Sequence, residues 1–297
     1  MSLAEGGRAA VLSVPLLGVL WGLNWPAVRL CLVEIPPWTL RTTGMAAAGL
    51  SLLATALATG RPFAVPRTHW PQLVASGILQ LAAFNVLLAF AQLHAATSRA
   101  AIVAFTMPVW TALLAWPVLG ERPDRRRLMG LALGLGGLAA LGLPLLRADA
   151  LTIGLLWALL GGMSWAAGTV VTKRWPVDAP ALTVAAWQLV IGGMAAGVGM
   201  LAMEGPPRLG PLAPVTLAAL AYHVLLAQAL AYLLWFAILP RLPAGVATLG
   251  TLPVPAVGVL GATALLGERP TAGDLVGLVL VIAAAATILS PRSAARR

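Results

Sequence analysis

Charged residues are scarce in this chain. Asp, Glu, Lys and Arg together make up 9% of its 297 residues, whereas a soluble domain carries about 25%. Hydrophobic residues make up 60% of the chain, and the mean hydropathy is +0.92. So few charges could not cover the surface of a water-soluble fold of this length, but apolar side chains can face lipid directly. The composition therefore predicts an integral membrane protein.

Residues that carry enzymatic chemistry are also few. Cys31 is the only cysteine, which excludes an intramolecular disulfide. None of His69, His94 and His223 has a second metal ligand three or four residues away, and no Gly-Lys-Ser/Thr phosphate loop is present. All nine acidic residues fall in predicted loops or at predicted helix ends, so no buried carboxylate pair is available for acid/base catalysis. We therefore expect no catalytic residue, no metal and no cofactor, and we expect that the protein is not an enzyme.

The excess of basic residues is spread thinly along the chain. There are 19 Lys and Arg residues against 9 Asp and Glu residues, which gives a net charge of +10. Clustered cations on a soluble protein would suggest a nucleic-acid partner, but here the cations stand singly or in short groups between apolar segments. Basic residues so placed mark the cytoplasmic side of membrane proteins. We therefore expect membrane lipid, and no nucleic acid, as a partner.

Apolar stretches long enough to cross a bilayer follow one another along the whole chain. A transmembrane helix needs about 20 predominantly apolar residues, and charges and prolines divide the sequence into ten such lengths. The connections between them are short and rich in turn-forming residues. The predicted spans are residues 9–30, 38–59, 70–93, 98–118, 128–146, 152–172, 181–203, 214–239, 243–265 and 273–290.

The sequence repeats itself across its midpoint. Leu-Gly-Glu-Arg-Pro at residues 119–123 recurs unchanged at residues 266–270, an offset of 147. We therefore divide the chain into two five-helix repeats, residues 1–148 and residues 149–297. Because five is odd, the second repeat must enter the membrane from the opposite side. This predicts two inverted repeats around a central cavity, an arrangement that many secondary transporters share.

The distribution of positive charge predicts the orientation in the membrane. With the N-terminus in the cytoplasm, the cytoplasmic segments hold 13 of the Lys and Arg residues and the outer segments hold 6, with Arg41 among the latter. The arginines at residues 125–127, after the first repeated motif, are replaced by Ala272-Gly273-Asp274 after the second. We expect a multi-pass protein of a bacterial-type inner membrane, with both termini in the cytoplasm.

At these residues the chain resembles a known family. The two five-helix halves, the segment Trp21-Gly22-Leu23-Asn24-Trp25-Pro26, and Pro-containing fourth and ninth helices that each precede Leu-Gly-Glu-Arg-Pro are similar to the drug/metabolite transporter superfamily. Its EamA-type branch is the most similar. The resemblance covers essentially the whole chain and implies a ten-helix bundle with a central cavity. It also implies small metabolites such as amino acids as substrates, commonly exported, and the tryptophan-rich halves look most like the aromatic amino-acid exporters.

Polar and aromatic residues within the predicted spans indicate where a substrate would bind, because polar side chains are costly against lipid. Helical spacing places three such residues on one face of the first helix and two on the related face of the sixth, where Trp165 matches Trp25 at an offset of 140. An offset of 147 pairs Asn85 of the third helix with Tyr232 of the eighth. The predicted substrate-binding residues are Trp21, Asn24, Trp25, Asn85, Ser164, Trp165, Gln228 and Tyr232.

This predicted site is mostly apolar and aromatic, with a few amide groups. Such a lining suits the stacking of a planar side chain and hydrogen bonds to a polar head. It contains no Arg or Lys, which weighs against sugar phosphates and nucleotide sugars as substrates. Core packing is the alternative role for Trp25 and Trp165.

Coupling, oligomeric state and part of the function stay open from sequence. His94 and His223 suit either hydrogen bonding or proton coupling, while facilitated diffusion by alternating access is the simpler mechanism. Small-residue pairs let the fifth and tenth helices pack on each other or on a second subunit, so monomer and homodimer are both open. The alternatives to an amino-acid exporter are an exporter of drugs or other neutral metabolites and a membrane signalling or assembly protein that transports nothing.

Overall fold

The computed structural model describes residues 3–120, 125–147, 152–207, 210–238 and 253–289. Within these ranges the chain is helical and contains no strand, which confirms the all-α fold class. The helices are α1 (Leu3–Cys31), α2 (Pro37–Ala58), α3 (Arg67–His94), α4 (Thr97–Leu119), α5 (Arg125–Arg147), α6 (Ile153–Arg174), α7 (Ala181–Met203), α8 (Pro214–Ile238), α9 (Pro253–Leu266) and α10 (Ala272–Leu289). Each corresponds to one predicted span.

The helices have the length that a bilayer requires. Six of those described, α2, α3, α4, α6, α7 and α8, are long and apolar enough to cross a membrane. The apolar parts of the other four cover 10–17 residues within the described ranges. The first part of the predicted span 243–265 lies outside the described residues, so α9 is described only from Pro253.

Acidic residues of the second half cap the N-termini of two helices in the first half. The Glu204 carboxylate accepts hydrogen bonds from the backbone N–H groups of Trp38 and the next residue, at 2.9 and 2.8 Å, where α2 begins. The Glu268 carboxylate does the same for Thr97 and the next residue, at 2.7 and 2.9 Å, where α4 begins. The first N–H groups of a helix have no partner within it and carry partial positive charge. These acids therefore fix the two halves to each other.

The repeated motif ends a helix in each half. Gly120 after α4 has φ 71° and Gly267 after α9 has φ 70°. Glycine adopts this left-handed conformation without steric cost, so it commonly ends helices. In the second copy the next residue is Glu268, which caps α4. The corresponding Glu121 of the first copy lies outside the described residues.

Helices of the two halves interlock in a regular pattern. Helix α1 packs against α8 and α9, while α6 packs against α3 and α4. Helices α2 and α7 pack on each other, and so do α5 and α10. When each helix is replaced by its counterpart in the other half, five helices along the chain, the same set of helix pairs results. From the sequence, α5 and α10 could pack on each other or on a second subunit. In the structure they pack on each other.

Glycines set the distance between α2 and α7. A Cβ atom added to Gly49 would lie 2.8 Å from the backbone nitrogen of Val190, and one added to Gly193 would lie 2.9 Å from the backbone nitrogen of Ala46. Backbone atoms cannot turn aside as a flexible side chain can. The absence of a side chain at these two positions is therefore what lets the helices approach so closely.

Two helices are interrupted at equivalent places. Helix α3 contains π-helical turns at Gly77–Ala83, and α8 contains them at Tyr222–Leu230. At the repeat offset of 147, residues 77–83 correspond to residues 224–230. π-Helical turns are rare and occur frequently at functional sites. In both helices they adjoin or include the polar residues that the sequence predicts for the substrate site.

Candidate functional site

A central cavity lies where seven of the helices meet. It measures about 50 Å³, counted as the space open to the centres of water molecules, which is room for about four waters. Helices α1, α2, α3, α4, α6, α8 and α9 contribute its walls. The lining residues are Trp21, Asn24, Trp25, Arg41, Phe84, Asn85, Leu88, Gln92, Phe105, Met107, Trp165, Ala227, Gln228, Tyr232, Trp235 and Val254.

Aromatic rings form one wall of the central cavity and pack on one another. The Trp21 ring centroid lies 5.5 Å from that of Trp165, 5.4 Å from that of Tyr232 and 5.7 Å from that of Trp235. Phe84 lies 4.7 Å from Trp165 on the same measure. Edge-to-face and tilted pairs at these separations stabilise each other. A planar ligand would therefore contact ring edges and faces, and it would have to separate some of these pairs to enter.

Asn85 is the centre of a buried polar network. Its Oδ1 accepts hydrogen bonds from Arg41 Nη1 at 3.2 Å and from Gln228 Nε2 at 3.0 Å. Its Nδ2 donates to the hydroxyl of Tyr232 at 3.2 Å and to the carbonyl of Leu81 at 2.9 Å. One amide side chain thus links helices α2, α3 and α8. Asn85 and Tyr232 are residues that the 147-residue offset pairs, so two equivalent positions of the two halves meet here.

Several polar atoms at the central cavity have no hydrogen-bond partner among the described residues. They are the donors Arg41 Nε and Trp235 Nε1 and the acceptors Gln92 Oε1 and Gln228 Oε1. A buried polar atom without a partner costs about 1–3 kcal/mol, and most buried polar groups in proteins are paired. The cavity therefore offers donors and acceptors that a polar ligand could pair with.

His223 joins three helices beside the central cavity. It is fully buried, and its Nδ1 lies 2.8 Å from Asn24 Oδ1 on α1. Its Nε2 has no hydrogen-bond partner among the described residues, and a Cβ atom added to Gly44 of α2 would lie 3.0 Å from it.

His94 lies apart from His223, and its Nδ1 is 2.9 Å from the carbonyl of Phe90 in the last turn of α3. Within the described residues, no group of three or more His, Cys, Asp and Glu side chains could hold a metal ion.

Seven of the eight residues that the sequence predicts for the substrate site line the central cavity. Both tryptophans for which core packing was the alternative, Trp25 and Trp165, are among them, and each is 5% exposed. Ser164 is not among the lining residues. Its Oγ donates to the carbonyl of Leu79, in the π-helical part of α3, at 2.7 Å. The structure thus brings together the faces of α1, α3, α6 and α8, with Ser164 holding α3 against α6.

A second groove lies between α3, α6, α7 and α8. Its volume is about 330 Å³ on the same measure, and it is lined by Ser76, Thr172, Lys173, Trp175, Pro176, Val177, Ala179, Ala181, Val184, Gln188, Phe236 and Ala237. Gln188 is fully buried, and both of its amide atoms lack a hydrogen-bond partner among the described residues.

One residue of the second groove has its repeat counterpart in the lining of the central cavity. At the offset of 147, Arg41 corresponds to Gln188 and His223 corresponds to Ser76. The helix contacts agree with this offset. Gly44 of α2 faces α8, and the residue 147 positions later, Ile191 of α7, contacts Gly77 of α3.

Comparison with known proteins places this architecture in a family. The sequence profile of the EamA-like transporter family matches the chain twice, at residues 8–143 and at residues 152–290. The chain belongs to the EamA-like transporter family. It is therefore a multi-pass membrane protein of a family of transporters, and small molecules are the substrates that such a family implies.

Relatives of this EamA-like transporter cover nearly its whole length. An uncharacterized transporter of Bacillus subtilis is 26% identical over 93% of this chain and 89% of its own. A probable amino-acid metabolite efflux pump of Salmonella typhimurium is 27% identical over 90% of both chains. An uncharacterized protein of Pseudomonas aeruginosa is 34% identical over 82% of this chain and 81% of its own. A crystal structure of a protein with 23% identity covers 93% of this chain and 95% of its own with a TM-score of 0.67, which shows the same fold.

One sequence expectation about the cavity of this EamA-like transporter was wrong. The predicted site contains no Arg or Lys, and Arg41 is counted with the outer segments, yet Arg41 lines the central cavity and is 1% exposed. Helix α2 begins at Pro37, so Arg41 lies one turn inside it. The sequence already showed a charge within a membrane span, because the predicted span 38–59 includes Arg41. A charge inside an apolar helix is costly and usually functional.

Other lining residues of the EamA-like transporter were missed for a simpler reason. Gln92 follows Asn85 by seven residues, which is two helical turns, so it continues the face of α3 that Asn85 occupies. Trp235 follows Tyr232 by three residues on α8. Both would have been found by extending each predicted face one turn further. Phe84 precedes Asn85 directly, and only the packing of α6 brings its ring against Trp165.

Proposed function

We propose that this chain transports amino acids, aromatic ones included, through the central cavity. The lining of that cavity carries the proposal: packed tryptophan and tyrosine rings lie beside buried polar atoms that have no hydrogen-bond partner in the part of the chain that the structure describes. The rings offer a surface to a planar apolar side chain, and the polar atoms can pair with a charged head group. The proposed binding residues are the seven predicted residues that line the cavity, with Ser164 acting through Leu79.

The proposed mechanism is alternating access by two inverted repeats, residues 1–148 and residues 149–297. The exchange-symmetric packing of the helices and the contact between Asn85 and Tyr232, which are 147 residues apart, support it. In inverted repeats, exchanging the conformations of the two halves closes one access path and opens the other.

In this proposal the protein lies in the inner membrane with both termini in the cytoplasm, and it exports its substrate. The excess of Lys and Arg in the predicted cytoplasmic segments supports the orientation. The Salmonella relative is named as an efflux pump, which supports export. The hydrogen bond between His223 and Asn24 supports a structural role for that histidine, so transport is driven by the substrate gradient.

Counterflow in reconstituted liposomes tests the proposed function. Vesicles loaded with unlabelled L-tryptophan should take up labelled L-tryptophan from outside, and an imposed proton gradient should change the rate little. Asn85→Ala should lower the rate per folded molecule, because it disconnects the network on which Arg41 and Gln228 depend. Val198→Ala is the matched control, since Val198 is 71% exposed on the outer surface of α7 and does not line the cavity.

The outcomes separate the candidate functions. Uptake of a neutral drug or metabolite, without uptake of any amino acid, would identify the exporter of neutral compounds instead. Absence of counterflow for every compound, from protein shown to be folded, would contradict transport through this cavity. A strict requirement for a pH difference that His223→Ala abolishes would replace facilitated diffusion by proton coupling.

A further inference from the structure

Arg41 is a buried cation without a counter-charge among the described side chains. Its exposed fraction is 1%, and the described carboxylate of Asp274 pairs with Arg99 instead. Two of the described acids, Glu204 and Glu268, are engaged at helix N-termini. Removing a charge from water without a partner costs several kcal/mol. A charge kept in such a position inside an apolar helix therefore indicates a function.

The guanidinium group of Arg41 has donors left for a ligand. It carries five N–H donors in a planar fork. Nη1 donates to Asn85 Oδ1, whereas Nε is buried and has no hydrogen-bond partner among the described residues. The fork geometry matches a carboxylate, which accepts two parallel hydrogen bonds from it. Asn85 holds one arm of the fork, so the group is already oriented before a ligand arrives.

We propose that Arg41 binds the carboxylate of the transported molecule in the central cavity. This inference rests on the proposed function only in taking the cavity as the transport site. The unpartnered oxygens of Gln92 and Gln228 line the same cavity and can accept hydrogen bonds from an ammonium group. A zwitterionic amino acid therefore finds a partner for each of its charges.

A carboxylate fits this site better than a phosphate does. Among the described residues, Arg41 is the only Lys or Arg that lines the cavity. One guanidinium balances the single charge of a carboxylate, while a phosphate group with two charges would leave one of them buried without a partner. The other polar atoms of the lining are neutral amide, hydroxyl and indole groups.

The test compares a ligand pair that differs only in the carboxylate. Binding of L-phenylalanine and of L-phenylalaninamide to the purified full chain is measured by isothermal titration. The wild type should prefer L-phenylalanine by at least about tenfold, as a charge-assisted hydrogen bond provides. Arg41→Gln should abolish this preference, so that the two ligands bind about equally well. Arg41→Lys should retain part of the preference. Thermal unfolding of each variant shows whether it is folded.

Asn85→Asp provides a second variant that keeps Arg41. It places a carboxylate where Asn85 Oδ1 lies, 3.2 Å from Arg41 Nη1. The new internal ion pair should occupy the arginine and remove the preference for L-phenylalanine. Because the carboxylate cannot donate to the Leu81 carbonyl as the Asn85 amide does, thermal unfolding shows whether this variant is folded. Arg29→Gln is the control for a lost charge nearby, because Arg29 donates to the backbone carbonyl of Gln92 and does not line the cavity. It should keep the wild-type preference.

The outcomes distinguish this inference from the proposed function. Equal binding of the two ligands by the wild type, or an unchanged preference in folded Arg41→Gln, would overturn the role of Arg41 while leaving amino-acid transport standing. If the wild type binds neither ligand, the amino-acid assignment fails, and benzoate and inorganic phosphate then probe the same arginine. Benzoate binding that Arg41→Gln abolishes would support the inference. No benzoate binding, or tighter binding of phosphate, would refute it.

Discussion

The central cavity and the second groove share one pair of repeat-related positions, and the side chains at that pair differ. Arg41 in the cavity corresponds to Gln188 in the groove. In the cavity three aromatic rings pack on Trp21, whereas the tryptophan of the groove, Trp175, is 50% exposed and contacts Arg174. The groove also has a larger volume, about 330 Å³ against about 50 Å³. Repeat-related positions therefore need not carry the same chemistry, as the arginine at one position and the glutamine at the other show.

The largest effect expected is a difference in thiol labelling between two positions on opposite sides of the membrane. In a Cys31→Ser background, Thr271→Cys should react with an impermeant thiol reagent added to whole cells, and Asp178→Cys should not. Both positions are exposed, and the proposed orientation puts the first outside the cell and the second, beside the groove, in the cytoplasm. Mass spectrometry of the purified protein measures the labelling. Permeabilised cells, in which both positions should react, are the control, and the reverse pattern would contradict the proposed orientation.

The next effect concerns one tryptophan from each region. Trp165→Ala should lower substrate affinity about three- to tenfold, because it removes a ring surface from the cavity. Trp175→Ala should change both affinity and stability little, since Trp175 is 50% exposed and its described ring contact is with Arg174. Transport per folded molecule and thermal stability in detergent are measured for both. If Trp165→Ala loses stability while transport per folded molecule is unchanged, core packing is its role.

The smallest effect expected concerns one glutamine from each region. Gln188→Leu should stabilise the protein by about 1 kcal/mol, because both amide atoms of Gln188 are buried without a partner. Gln228→Leu should instead reduce transport, since Gln228 Nε2 donates to Asn85 in the cavity. Thermal unfolding and counterflow measure the two quantities. Destabilisation by Gln188→Leu would show that its amide has partners in the folded protein, and unchanged transport by Gln228→Leu would remove it from the site.

The helices were predictable because lipid imposes its constraint locally. Each span needs enough apolar residues in one stretch, and each break shows in prolines, glycines and charges. The start of α2 at Pro37 agrees with this, as does the left-handed Gly120 after α4. Seven of the eight residues predicted for the substrate site line the central cavity, because polar residues inside lipid-spanning helices must face the bundle.

Arg41 and Ser164 show where this reasoning failed to locate a side chain. Helical periodicity assigns residues to a face, but it does not say which neighbouring helix that face meets or how deep it lies. Arg41 is one turn from the end of α2 and could have reached the surface, but Asn85 holds its guanidinium inside. Ser164 adjoins Trp165 in the sequence, yet its hydroxyl is within reach of the Leu79 carbonyl, so it bonds there.

The sequence by itself determined the helical segments, the internal repeat and seven of the sixteen residues that line the cavity, because each of these depends on composition and spacing within short stretches. Only the tertiary structure decided that Arg41, Asn85 and Gln228 form one network. The rotation and depth of each helix decide such contacts. Those depend on glycine approaches and capping carboxylates between residues more than 140 positions apart, which no local pattern records.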